Sequence, residues 1–367
     1  MIRVLDVIRT IEEKAPLYLA EEWDNSGLLV GDSRQEVTSV LISLDLTRDT
    51  VAEAMERGAN LIITHHPAIL RPVSRLNWDR EPDATLCSVI RNGLSVYTAH
   101  TNLDRAREGT ADALLSALGM TGKKVFAGQF SPPLYKFVVF VPKGHEDAVR
   151  QALGDAGAGF IGDYSHCTFM TQGQGSFCPL EGAKPYIGEV NRLEIVDEYR
   201  VETIVRKADV AKVLRAVFRV HPYEEVAFDL YPLENTEDGH GFGRIARLNE
   251  PVTLLDMAKR VKEALRTGVR LVGPGCMKVL SVAVIPGSGG SFITQASREG
   301  ADILITGDVK YHEAQEALSR GLGIIDAGHF ATERPVLRTL GRWINASFAD
   351  IPVHISQRQA DVFAFSQ

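Results

Sequence analysis

The stretch RGANLIITHH (residues 57–66) decides how the chain is read. Gly58 suits the left-handed cap that ends a helix. Leu61-Ile62-Ile63 is a continuous apolar run, the signature of a strand buried on both faces. That run drives directly into Thr64-His65-His66-Pro67, so two adjacent histidines stand at a strand end. The pattern returns near the other end of the chain as EGADILITGD (residues 299–308), with Gly300, Ala301 and Thr306 in the places of Gly58, Ala59 and Thr64.

The match extends in both directions. VLISLD (40–45) falls on VAVIPG (282–287), and NGLSVYTAHTNLD (92–104) resembles RGLGIIDAGHFATE (320–333), with Gly93 on Gly321 and Ala99 on Ala327. In the first copy a helix is expected over Arg48–Arg57, and another ends near Arg91-Asn92-Gly93. A strand–helix–strand–helix–strand unit used twice predicts two sets of parallel strands. The middle of the chain has a different rhythm. YKFVVFVP (135–142), a helix from His145, RLEIVDEYRVETIVRK (192–207), a helix over 208–218 and HPYEEVAFDLYPL (221–233) give a ferredoxin-like order. The expected fold class is therefore α/β. A quasi-repeated α/β domain is built from both chain ends, residues 1–129 and 237–367, and an α+β domain, residues 130–236, is inserted between them.

Composition is that of an ordinary globular protein, with 45% apolar and 24% charged residues in 367, a length that favours two domains. A formal net charge of −7 speaks against a nucleic-acid binder, which carries a basic excess. Val4, Leu5, Ile8 and Ile11 recur at helical spacing with charges between them, unlike a secretory signal, and no segment reaches membrane-spanning length. The four cysteines, Cys87, Cys167, Cys178 and Cys276, form no C-x-x-C pair. His166 and Cys167 with Cys178 make the weaker metal candidate, set against free thiols that fit a reducing cytoplasm.

Ligands of open α/β sheets bind beyond the carboxyl ends of the strands. The ionisable residues expected there are Asp45, His65, His66, His100, Asp104, Asp308, His312, His329 and Glu333. His65 and His66 would diverge if the strand continued regularly, but Pro67 ends ladder pairing, so the chain turns there, and adjacent histidines at such a turn bind two ions more readily than they chelate one. HTNLD supplies Asp104, and GHFATE supplies His329 and Glu333 four residues apart, on one face if helical. Two histidines, a carboxylate, and a further histidine with a carboxylate make a nitrogen–oxygen ligand set, suited to zinc, iron, manganese, cobalt or nickel. A pair of such ions activates water and clamps a leaving oxygen in hydrolases. IPGSGGSF (285–292) is a glycine-rich strand-to-helix turn, so Gly287, Gly289 and Gly290 are the candidate anion cradle. Asp308 and His312, four residues apart, are the candidates for proton transfer or for positioning a ligand.

EEWDNSGLLVGD, ITHHPAIL, AHTNLD, GSGGS, TGDVKYHEA and DAGHFATE, in this order, resemble the Ngg-interacting-factor-three-like family, whose bacterial members are often labelled GTP cyclohydrolase 1 type 2 homologs. GDYSHCTF, LEGAKPYIG and HPYEEVAFDLYPLEN are similar to the insertion of the longer bacterial members, related to the nitrogen-regulatory PII and CutA folds. The resemblance implies a two-metal site on His65, His66, Asp104, His329 and Glu333. It also implies a toroidal homohexamer whose sites face an internal cavity. Phe330 departs from relatives that carry a second histidine there, but the implied ligand pattern does not use that position. The expected function is that of a dinuclear-metal hydrolase acting on a nucleotide-like or phosphorylated small molecule. The alternative is a non-catalytic metal-binding regulator whose inserted domain senses a ligand or a partner.

Overall fold

Leu61–Thr64 is the central strand, β3, of a five-stranded sheet, and all four residues are buried. It is flanked by β2 (Val40–Ser43) and β4 (Ser95–Thr98), both parallel to it and equally buried. Their register is in step: Ile63 lies between Ile42 and Tyr97, and Thr64 between Ser43 and Thr98. The edges are β1 (Gly27–Val30), antiparallel to β4, and β15 (Val353–Ile355), parallel to β2. One face packs on α1 (Val4–Lys14) and α12 (Val336–Ser347), where Val4, Ile11, Leu337 and Leu340 meet Val40 and Ile42. The other packs on α2 (Arg48–Glu56) and α3 (Asp83–Arg91), where Val51 and Val89 meet Leu41 and Ile62. Alternate strand residues thus enter opposite cores, which is why the runs are apolar throughout.

The structure is a computed structural model that describes residues 1–120, 123–236 and 239–364. It separates into one unit of Met1–Phe130 with Asp238–Gln367 and a second of Ser131–Glu237. The first unit contains a second sheet of six strands in the order β11-β14-β13-β12-β10-β5. Its parallel centre is β12 (Lys278–Ser288), β13 (Ile303–Gly307) and β14 (Gly323–Asp326), the three runs aligned above with β2, β3 and β4. Around them run β5 (Lys123–Phe126), β10 (Gly243–Thr253) and β11 (Arg270–Val272), all antiparallel to their neighbours. The helices α5 (Thr110–Ala117) and α8 (Leu254–Leu265) pack on one face, and α9 (Ile293–Arg298) and α10 (Tyr311–Ser319) on the other. Two short helices, α4 (Thr101–Arg105) and α11 (His329–Glu333), follow β4 and β14.

Two buried charges close the first unit across long sequence distances. Glu53 of α2 is 3% exposed and accepts from Ser356 Oγ at 2.6 Å and from the Arg358 N–H at 3.2 Å, which pins the segment after β15 to the first sheet. Arg244 of β10 is 2% exposed and donates to Asp112 of α5 at 2.9 Å and to the carbonyls of Ala106, Gly241 and Gly243.

In the second unit β6 (Leu134–Pro142), α6 (Glu146–Asp155), β7 (Thr168–Phe177), β8 (Glu194–Arg206), α7 (Val210–Val220) and β9 (Phe228–Leu233) follow one another. The strands pair antiparallel in the order β7-β8-β6-β9, the split arrangement of a ferredoxin-like sheet. Both helices cover one face, where Val149, Leu153, Val213 and Val217 meet Phe137, Val139 and Val201.

Removing one partner of a buried ion pair leaves the other charge uncompensated. Asp112→Ala is therefore expected to destabilise the protein by about 3–5 kcal/mol in urea unfolding, with Asp112→Asn costing less because an acceptor remains. Equal, small losses for both variants would show that the pair does not hold α5 to β10.

Candidate metal centre

Parallel strands that end together deliver their last side chains to one edge, and this edge collects the histidines. β3 stops at Thr64, whose hydroxyl meets that of Thr98 at 2.8 Å. The next two amides still bond to the chain after β2, His65 N–H to Ser43 O and His66 N–H to Leu44 O. The strand does not continue regularly, and the two imidazoles do not diverge as they would if it did: their centres are 5.0 Å apart and both face Glu333. His65 is fully buried, its Nδ1 2.8 Å from Ala99 O. His66 Nδ1 is 2.8 Å from Asp45 Oδ1.

Helix α11 brings the complementary pair. His329 and Glu333 occupy its two ends on one face, with His329 Nε2 3.1 Å from Glu333 Oε1. The carboxylate also meets His66 Nε2 at 3.0 Å through Oε2, and lies 3.7 Å from His65 Nε2. Asp104 of α4 stands 3.5 Å from His65 Nε2 and accepts from Thr110 Oγ1 at 2.8 Å. The five residues proposed from spacing are thus neighbours around Glu333. The floor is dry, with side-chain exposures of 0% for His65 and 7% for Glu333, and the rim is open, with 25% for His66 and 37% for His329.

Chemistry and geometry both fit a cation. His65 Nε2 and Glu333 Oε2 are buried without an aligned hydrogen bond, an arrangement that costs free energy unless something satisfies both. His65, His66 and Glu333 each offer an atom within 4.8 Å of the others. The histidine protons are arranged to suit: a ring held at Nδ1 by an acceptor presents its Nε2 lone pair to a metal. Among the described residues His166, Cys167 and Cys178 form no such group; His166 instead pairs with Asp155 at 3.3 Å.

The surrounding carboxylates favour positive charge on the imidazoles. Burial disfavours charge on His65, but Asp104 and Glu333 outweigh it and raise its pKa. Burial also opposes charge on His66, yet Asp45 and Glu333 push it up to about 10. The bond to Glu333, helped by Asp308, pushes His329 up to about 9. Burial raises the pKa of Asp104, with Glu333 adding to the effect. Glu333 itself, despite burial, is held well below the usual carboxylate range by the three imidazoles.

Of the two roles expected for Asp308, its geometry is that of a positioning residue: it holds the candidate ligand His329 by Nδ1 at 2.8 Å. His312 is exposed on the first turn of α10, its Nδ1 3.1 Å from Gln315 Oε1, and no described hydrogen bond joins it to the centre. The glycine loop does not present the expected anion cradle. The Gly287 N–H donates to Thr332 Oγ1 and the Gly289 N–H to Thr306 Oγ1, so both amides are engaged. At Gly290 a side chain would meet the Glu313 carboxylate, a poor neighbour for an anion. What the loop provides is close approach: Gly287 has φ +64°, and a Cβ there would stand 2.3 Å from Glu333 Oε1. The reading of spacing missed Asp24. This buried carboxylate takes His100 Nδ1 at 2.8 Å and Thr101 Oγ1 at 2.5 Å. Its only local signal was the turn-forming Asp24-Asn25-Ser26.

The chain is similar to known proteins along nearly its whole length. The family profile of Duf34/NIF3 (NGG1p interacting factor 3) matches residues 2–361. The chain belongs to the DUF34/NIF3 family. It is 40% identical over 363 residues to a Bacillus subtilis protein named GTP cyclohydrolase 1 type 2 homolog, covering 98% of this chain and 97% of that one. A protein of the same name from Halalkalibacterium halodurans is 42% identical over 363 residues, covering 98% of both chains. The crystal structure of a Bacillus cereus protein related to NIF3 superposes with a TM-score of 0.89 at 41% identity, over 100% of this chain and 99% of that one. A Staphylococcus aureus protein follows with a TM-score of 0.80 at 29% identity, over 100% and 99%. Among the described residues no helix is long and apolar enough to cross a membrane.

Two outcomes are expected of this DUF34/NIF3 centre. A ligand histidine must be neutral, so metal uptake at pH 7 releases the protons of His66 and His329, and apparent affinity rises with pH until about 10. Calorimetric heats that do not vary with the ionisation enthalpy of the buffer would contradict this. Gly287→Ala meets both a left-handed backbone, costing about 1–2 kcal/mol, and the Glu333 carboxylate. Bound metal should fall more than stability does, and a variant with full metal content would show that the loop has room to spare.

Proposed function

We propose that this protein is a dinuclear-metal hydrolase acting on a nucleotide-like or phosphorylated small molecule. One observation carries the reading: the two oxygens of one buried carboxylate, Glu333, face different histidines, Oε2 toward His66 and Oε1 toward His329 and His65. A carboxylate so shared suits a bridge between two ions. His65, His66, Asp104, His329 and Glu333 would hold them, and this donor set suits zinc, iron or manganese. When bound, the ions supply Lewis acidity and an activated water.

The chain's own residues do the rest. Asp45 and Asp308 fix the rings of His66 and His329 by their Nδ1 atoms. His65 and Glu333 keep water from the floor. The half-open sides of His66 and His329 leave a mouth for substrate. In this reading neither His312, which faces solvent, nor Asp308, which positions His329, transfers the proton; that role falls to groups at the centre itself. The relatives' name, GTP cyclohydrolase 1 type 2 homolog, supports a nucleotide-like substrate class. Family membership supports a toroidal homohexamer, and four free cysteines support a cytoplasmic location.

A second reading is a non-catalytic metal-binding regulator whose inserted, PII/CutA-like unit senses a ligand. It is favoured by a separate cavity of about 300 Å³ within that unit, lined by Phe140, Thr171, Gly173, Gly175, Glu198 and Arg200. One experiment distinguishes the two. Metal-defined protein is screened against phosphoesters, nucleotides and cyclic amidines, with Asp104→Ala alongside. The hydrolase reading expects two ions per chain, their loss from Asp104→Ala, and turnover that disappears with them. Full metal content in Asp104→Ala overturns the ligand assignment. A loaded protein that turns over nothing, yet binds a metabolite through residues 131–237, establishes the regulator.

A further inference from the structure

Four imidazoles stand around the centre, and all four are held alike. Nδ1 lies 2.8 Å from Ala99 O in His65, from Asp45 Oδ1 in His66, from Asp308 Oδ2 in His329 and from Asp24 Oδ1 in His100. An acceptor at Nδ1 keeps the ring proton there and leaves Nε2 with its lone pair, the arrangement of metal-ligating histidines. Three of these rings belong to the ligand set already described. His100 does not.

Its position is that of a ligand. His100 ends the segment after β4 and caps α4, one turn before Asp104. Its ring centre is 5.3 Å from that of His65 and 5.8 Å from that of His66. The rings of the candidate ligands are packed as closely, 5.0 Å between His65 and His66 and 5.3 Å between His66 and His329, pairs that serve different ions in the reading above. Two imidazoles sharing an ion stand with ring centres roughly 5 Å apart, given metal–nitrogen bonds of about 2.0–2.1 Å.

The support behind the ring is substantial. Asp24 has a fully buried side chain and is also held by Ser26 Oγ at 2.9 Å, the Thr101 N–H at 3.1 Å and Thr101 Oγ1. Trp23 packs edge-on against the imidazole, 6.0 Å away.

We propose that His100 is a further ligand of the centre, its Nε2 directed to the ion held by His65 and its ring locked by Asp24. The inference rests on the metal-centre reading above, and the test separates the two. Cobalt(II) is the probe. In the loaded wild-type protein with labelled histidine, each ligating ring gives one strongly shifted exchangeable Nδ1–H proton resonance. Four such signals are expected, and three overturn the proposal while leaving the centre intact. A protein that takes up no cobalt overturns the metal centre itself. His100→Ala should lower cobalt affinity in chelator competition by about 10–100-fold and alter the visible absorption. Asp24→Asn should move both in the same direction by less. His312→Ala, a histidine away from the centre, should move neither. Folded His100→Ala with unchanged affinity and absorption overturns the proposal. If that variant fails to fold, the signal count in the wild-type protein decides.

Discussion

Glu333 imposes the condition that the rest of the first unit satisfies. A carboxylate cannot be taken out of water unpaired without a cost of several kcal/mol. Glu333 is buried all the same, at the end of a five-residue helix, and its compensation comes from a different sheet. His65 and His66 arrive from the end of β3, while His329 arrives on the same helix as the carboxylate. The requirement to surround this one group with positive charge brings the carboxyl ends of both parallel strand sets together. Protons can supply that charge, and so can metal ions; the raised histidine pKa values and the proposed ligand chemistry are two expressions of one arrangement.

The two sheets are alike in their parallel centres and unlike at the chemistry. By the alignment of Thr64 with Thr306, His65 corresponds to Gly307 and His66 to Asp308. The reason is spatial. A Cβ on Gly307 would stand 2.5 Å from the Gly328 carbonyl carbon and 2.6 Å from the His329 nitrogen, so no histidine fits there. At the next position Asp308 takes φ +55° and turns its carboxylate to His329. One copy of the motif thus supplies candidate ligands, and the other supplies the space and the orientation that the candidate ligands on α11 require. Gly287, near the end of β12, does the same for Glu333.

Much of this was legible in the residues. Short, largely apolar runs marked β2, β3, β4, β12, β13 and β14, because strands buried on both faces need few polar side chains. His329 and Glu333 could be placed on one face from their spacing alone. Legibility failed where partners are distant in sequence or where backbone polarity decides. Three-residue strands such as β11 and β15 carry too short a pattern to be seen, and β15 owes its place to Glu53 on the far side of the chain. The glycine loop had the composition of an anion site, but Thr306 and Thr332 claim its amides. The turn expected at Pro67 begins before the histidines, since β3 ends at Thr64.

The sequence by itself determined the alternation of elements, the duplicated strand-end motif and the residue types able to bind a metal, since these depend on local periodicity and on side-chain chemistry. Only the tertiary structure decided which of those residues meet. Asp24 reaches His100 across 76 positions and Asp45 reaches His66 across 21. Such pairings follow from which strands lie side by side, and that order is fixed by burial of whole sheets rather than by any short stretch of chain.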